Sequence, residues 1–305
     1  MTGSDGAGAS PASGTAVLGL GCAIASFLIW GLFPIYFKQL ETVPVVEVLA
    51  HRVVWSVFFT AGLLTFLGRW RAVALGFASP RLIATLALST LTISLNWGVF
   101  IWAVSNSRVL DSSLGYYINP LVSVLLGVVV LQERLRASQW IAVTLAGMGV
   151  GSEILGHGEV PWIALTLACS FAAYGLIRKM ADVDALTGLF IETLIASPVA
   201  VGYLLLAQTE GVNGFLTAGE ARITVLLVMA GAITALPLLL FVGAARRIRL
   251  STLGLLQYIV PTGHFLIAVY VYGEPLSQAR VATFACIWIA LLIYSLPSLR
   301  GRSRA

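Results

Sequence analysis

Apolar residues along this chain come in long unbroken blocks, with neither the alternation of a half-buried strand nor the one-sided stripe of a surface helix. A helix crossing the hydrocarbon of a bilayer needs about 20 predominantly apolar residues. Ten blocks meet that length, at 16–37, 44–67, 80–104, 108–131, 135–155, 160–180, 184–206, 219–244, 248–272 and 277–298. The longest connection, 207–218 (AQTEGVNGFLTA), is too short to fold by itself. A membrane barrel would show alternating segments of about ten residues instead. The pattern predicts an all-α integral membrane protein with ten transmembrane helices.

Composition narrows the choice further. Of 305 residues, 59% are hydrophobic and 10% charged, with a mean hydropathy of +0.95. A soluble domain is about a quarter charged, so a soluble enzyme, a disulfide scaffold and a disordered regulator are all excluded. Cys22, Cys169 and Cys286 lie in apolar blocks without CxxC spacing and read as buried thiols. No metal or cofactor is expected. Residues 1–15 are Gly/Ala/Ser-rich without Lys or Arg, as in a disordered tail, and 299–305 form a basic tail.

The net charge of +5 reports topology and implies no nucleic acid. With the N-terminus inside, thirteen basic residues fall on the inner side, around Arg69, Arg81, Arg134, Arg178, Arg246 and the tail. Four fall outside, namely Lys38, Arg108, Arg222 and Arg280. Positive residues favour the cytoplasmic side. Both termini are therefore predicted to be cytoplasmic in a cell inner membrane.

The sequence also repeats itself. Ser26, Phe27, Trp30, Gly31 and Leu32 match Ser170, Phe171, Tyr174, Gly175 and Leu176 at a shift of 144. Pro120, Glu133 and Leu135 match Pro261, Glu274 and Leu276 at a shift of 141. Each repeat, 16–155 and 160–298, holds five helices, an odd number, so the copies enter the membrane from opposite faces. Inverted repeats of this kind build secondary transporters, with substrate bound near midplane between them.

The segments SFLIWGLFPIYFK, EVLAHRVVWS, LNWGVFIWAV, SLGYYINPL, SFAAYGLIRK, FIETLIASP, LLQYIVPT and GEPLS resemble RarD-type permeases, EamA-family members of the drug/metabolite transporter superfamily. The resemblance spans about residues 17–296. It implies a ten-helix inner-membrane carrier of two EamA repeats, and the family label carries an association with chloramphenicol sensitivity.

Ionisable residues inside a span are costly and normally face a cavity or a partner. Glu47, His51 and Trp55 share one face of the second span, beside Arg52. Glu192 is the repeat mate of Glu47. These residues are candidates for coupling or gating, and equally for an internal lock in which Glu192 pairs with Arg178 or Lys179. The candidate substrate cavity is aromatic and neutral-polar: Trp30, Asn96, Trp97, Tyr116, Tyr117, Asn119, Tyr174, Gln257 and Tyr258. The alternative reading of the same side chains is helix-packing glue. Arg108 and Asp111 read as a local pair, Trp70, Trp140 and Trp162 as interfacial anchors, and His264 as a packing residue. No P-loop, HExxH or nucleophile elbow is present in the sequence. The expected function is secondary active transport of a small organic metabolite or drug, with a passive channel and an intramembrane enzyme as alternatives.

Overall fold

The computed structural model describes residues 11–131, 140–151 except 142, 146 and 150, 160–209, 221–245, 247–248 and 256–300. The matched residues Glu133 and Leu135, the loop His157 and residues 301–305 lie outside these. Every element is helical, and no strand occurs among the described residues. In chain order they are α1 (Pro11–Gly31), α2 (Phe33–Lys38), α3 (Val45–Phe66), α4 (Trp70–Phe77), α5 (Pro80–Ser105) and α6 (Val109–Leu131). Then follow α7 (Trp162–Met180), α8 (Ala185–Thr209), α9 (Ala221–Ala245), α10 (Ile259–Leu266), continued by a π-helical turn at Ile267–Val271, and α11 (Gln278–Arg300). Among the described residues, five helical stretches are long and apolar enough to cross a membrane, and three shorter ones are also apolar.

Three details depart from the block pattern. α1 begins at Pro11, inside the expected tail. The first block breaks at Leu32, where Pro34 starts α2 and cannot donate back into α1. The 68–79 connection folds into α4, a short amphipathic helix with Val73 and Gly76 buried. Pro261 sits in the first turn of α10, where its missing N–H is no loss. Mid-helix prolines occur at Pro120 in α6, Pro198 in α8 and Pro237 in α9. The carbonyl that Pro198 frees, Leu194, accepts the Ser197 hydroxyl at 2.8 Å.

The bundle is inside-out relative to a soluble protein. Phe66 is 86% exposed and Val199 78%, while Glu47, Arg52 and Glu192 are buried. Helices of the first half pack chiefly on those of the second: α6 on α7, α3 between α8 and α9, α1 on α9. Several crossings are backbone-close. A Cβ on Gly231 of α9 would run into the backbone of Trp55 and Ser56 on α3, and one on Gly263 would meet Gly31 of α1 at about 3.1 Å.

The two ends of the bundle differ. At one, Lys38 donates to Ser107 Oγ at 3.1 Å, Tyr272 to the Pro34 carbonyl at 3.1 Å, and Arg222 to Gln39. At the other, Arg69 meets Asp184 at 3.0 Å. α1 runs toward the Lys38 end. α7 starts near that end, with Trp162 against Trp102 of the last turn of α5, and finishes at the Arg69 end.

Candidate functional site: a buried polar seam

Polar side chains in the middle of these helices touch one another in sequence along the bundle. The Tyr116 hydroxyl donates to Asn96 Oδ1 at 3.1 Å, and Asn96 Nδ2 donates at 3.0 Å to both Ser170 Oγ and the Leu167 carbonyl. One turn along α7, Tyr174 packs on Phe171 and directs its hydroxyl to Glu192 Oε2 at 3.4 Å. Glu192 Oε1 accepts from Ser89 Oγ at 2.5 Å and lies 3.6 Å from Arg178 Nε. Arg178 reaches this carboxylate by lying across Gly188, where a Cβ would collide with its guanidinium. Asn96, Tyr116, Tyr174 and Glu192 are thus brought into one run spanning α5, α6, α7 and α8. Ser89 and Ser170 also belong to it. Sequence reasoning placed neither in the site: Ser170 entered only as the repeat mate of Ser26, and a lone Ser89 in an apolar helix carries no spacing signal.

The second-span polar stripe lies on α3. Trp55 Nε1 donates to His51 Nδ1 at 3.3 Å, which leaves the ring proton on Nε2, the atom 4.0 Å from Glu47 Oε1. Arg52 faces elsewhere. Its Nε donates to Thr234 Oγ1 of α9 at 2.7 Å, and its guanidinium lies 4.0 Å from the Trp97 ring centre.

The remaining cavity candidates are not brought into this seam. Tyr117, next to Tyr116 and so pointing away from it, bonds Thr262 at 2.7 Å and packs on Tyr258, Phe284 and Trp288. Trp30 packs on Phe27 and Phe241. Asn119 accepts from Ser123 at 3.0 Å, and its Nδ2 is buried with no hydrogen-bond partner among the described residues. Gln257 is half-buried just before α10. His264 bonds the Trp30 carbonyl at 3.0 Å and stacks on Phe100, linking the two regions.

Both ends carry ionic contacts that fix helix starts. At the Lys38 end, Asp111 meets Arg108 at 2.6 Å, as its spacing predicts, and also Arg280 at 2.9 Å across the bundle. Glu274 accepts the Val109 and Leu110 amides at 2.7 and 2.8 Å, capping α6 from the other half of the chain. Burial pushes its carboxyl up, against those two amides. At the Arg69 end, Asp184 caps α8 through the Leu186 and Thr187 amides. Burial alone would raise its carboxyl, but hydrogen bonds from Thr187, the Arg69 guanidinium and the Leu186 amide outweigh it and hold it below the usual carboxylate range. An open pocket of about 800 Å³ lies at this end, lined by α4, the start of α5 and the α7–α8 turn. Its lining includes Thr85 and Thr187, each about one helical turn short of Ser89 and Glu192.

An inside-out helical bundle with a polar seam defines a multi-pass membrane protein. Comparison with known proteins agrees and is more specific. Residues 17–151 match the model of the EamA-like transporter family. The chain is 48% identical over 284 residues to an uncharacterized transporter of Vibrio cholerae, covering 93% of each. It is 47% identical to Protein RarD of Salmonella typhi, covering 91% of this chain and 94% of that one. It is 34% identical to the chloramphenicol-sensitive protein RarD of Pseudomonas aeruginosa, covering 91% and 93%. A solved crystal structure shares the fold at 17% identity with a TM-score of 0.56, covering 93% of this chain and 98% of that one. The chain belongs to the EamA-like transporter family, among its RarD-type permeases, and is a membrane transporter of the drug/metabolite class.

Proposed function

We propose that this chain is a secondary active carrier that moves a small organic metabolite or drug across the bacterial inner membrane by alternating access. In this reading its ten spans form two inverted five-helix repeats, 16–155 and 160–298, with both termini cytoplasmic. The observation that carries it is the seam from Tyr116 through Asn96, Ser170 and Tyr174 to Glu192. A bundle held together only by packing has no need of polar groups arrayed along its interior, and each costs desolvation in lipid. A carrier needs them, because substrate must be passed between hydrogen-bonding groups from one side to the other.

The opposite directions of α1 and α7 support the inverted repeat. The charge bias assigns the Arg69 end to the cytoplasm, so the pocket there is the inner vestibule and Glu192 lies just beyond its floor. The ion pairs and caps of the Lys38 end then close the outer side. Asn96, Trp97, Tyr116 and Tyr174 contact substrate, and Glu192, with Glu47 and His51, is the coupling group if protons drive the cycle. Tyr117, Tyr258, Trp30, Asn119 and Gln257 flank this path and shape it when helices shift.

The test is counterflow. Purified protein in liposomes, preloaded with a bacterial metabolite extract or with chloramphenicol, is expected to exchange at least one solute with saturable kinetics. Linear, non-saturating flux would replace the carrier by a channel.

A further inference from the structure

Arg52 is a cation buried to 3% exposure in the core of a lipid-embedded bundle, eight residues into α3. The Thr234 hydroxyl takes its Nε. Its remaining neighbours are ring faces: Trp97 at 4.0 Å, Phe37 at 5.4 Å and Phe33 at 5.7 Å. The phenols of Tyr36 and Tyr116 lie within electrostatic reach. Its Nη1 is buried with no hydrogen-bond partner, and no carboxylate lies within 4 Å of it among the described residues. Among the described residues the acids buried within the spans are engaged elsewhere, Glu47 beside His51, Glu192 beside Arg178 and Asp111 with Arg108 and Arg280. Glu47 is five residues away on the same helix, about 140° around its axis, and so points away from Arg52. A buried charge is normally paired. Here the pairing group is missing and a donor waits for it.

We propose that Arg52 is the receptor for the anionic group of the transported substrate, a small monovalent carboxylate with an aromatic or planar apolar body. This rests on the carrier reading above and names the substrate class of the same seam. The guanidinium fork matches a planar carboxylate. Aromatic faces hold the cation while the site is empty, and receive the ligand's apolar body once the carboxylate takes the charge. Phosphate does not fit. The cage offers one cation, and a dianion would leave a net negative charge in a low-dielectric interior. Tyr116, which contacts Asn96, connects this receptor to the seam, so a substrate released from Arg52 meets neutral hydrogen-bonding groups next.

The experiment compares acids with their neutral amides on the purified full-length protein in detergent. Benzoate and phenylacetate, benzamide and phenylacetamide, and inorganic phosphate are titrated while melting temperature and tryptophan fluorescence are read. The acids are expected to stabilise the protein and to bind at least ten-fold more tightly than the amides and phosphate. Arg52→Lys keeps the charge but loses the fork, and is expected to weaken the acids about ten-fold. Arg52→Gln is expected to erase the difference between acid and amide. Equal binding of acid and amide by the unaltered protein would overturn the proposal, a comparison that needs no variant to fold. An unchanged acid preference in Arg52→Gln would overturn it as well, leaving Arg52 a tie between α3 and α9. Counterflow of labelled benzoate separates the two readings. Acid-selective binding without exchange keeps the receptor and removes the carrier, whereas exchange of neutral solutes without acid selectivity keeps the carrier and removes the receptor.

Discussion

Glu192 shows how much one residue's surroundings decide. Its carboxylate accepts from Ser89 and Tyr174 and lies beside Arg178, so it is both a candidate proton carrier and half of an ion pair. The two roles predict different losses. If Glu192 carries protons, Glu192→Gln abolishes transport driven by a pH gradient, a drop of at least ten-fold, while substrate exchange in liposomes persists. Undiminished pH-driven transport would end that role. If Glu192 is chiefly a lock, Glu192→Gln strands Arg178 and lowers stability by about 2 kcal/mol. That is less than the roughly 3–5 kcal/mol of a fully buried pair, because Arg178 keeps the Asp184 carbonyl. Arg178→Gln in the same chain should then recover most of the loss, since coupled partners are non-additive. Asn96→Ala is expected to weaken transport more than folded yield, because Tyr116 and Ser170 lose their shared partner in the seam.

At the scale of elements, several apolar blocks reappear as helices among the described residues, because in lipid the backbone must satisfy itself and an apolar run has little alternative to a helix. The predicted 80–104 and 108–131 became α5 and α6 almost residue for residue. α4 was not legible, because eight residues with two buried positions carry too little pattern. The stripe of Glu47, His51 and Trp55 was readable from four-residue spacing alone. The partition of Tyr116 and Tyr117 was not, since which neighbour faces the seam depends on how α6 rolls against α7. Nor did spacing reveal Arg280 across from Asp111, or Glu274 on the start of α6, both made by residues more than 160 positions away. Two outcomes test these element contacts. Gly231→Ala places a methyl against the α3 backbone and is expected to cost about 1–3 kcal/mol, read as a lower melting temperature in detergent; an unchanged value would mean that α3 and α9 separate freely. Asp184 adds a pH dependence. Its folded carboxyl titrates below the ordinary value of about 4, so its contribution is complete above that value and is lost as pH falls through the folded pKa. Melting temperature should therefore fall more steeply on acidification in the unaltered protein than in Asp184→Asn, with a difference at neutral pH of about 1 kcal/mol.

A pocket lies at the Arg69 end, while ion pairs and a cap join the two halves at the Lys38 end; on the carrier reading, alternating access must reverse that asymmetry. If the Arg69 end is cytoplasmic, as proposed, reporter fusions after residues 156 and 298 should read periplasmic and cytoplasmic; a cytoplasmic signal at 156 would break the five-helix repeat. The tied end makes a stronger demand. Arg222 meets Gln39, Asp111 meets Arg280, and Glu274 caps α6, so contacts between the two halves converge where, on the carrier reading, substrate enters or leaves on the outer side. A carrier has to part them in every cycle, whereas packing alone does not require them to move. Cysteines introduced at Gln39 and Arg222, in a chain whose Cys22, Cys169 and Cys286 are replaced by serine, can be bridged with a short bifunctional thiol reagent. Bridging is expected to arrest counterflow by at least ten-fold, while solutes bound from the cytoplasmic side still raise the melting temperature. Cleavage of a reducible linker should restore exchange. Full counterflow through the bridged protein would show that the Lys38 end does not open, and would remove alternating access at this end from the mechanism.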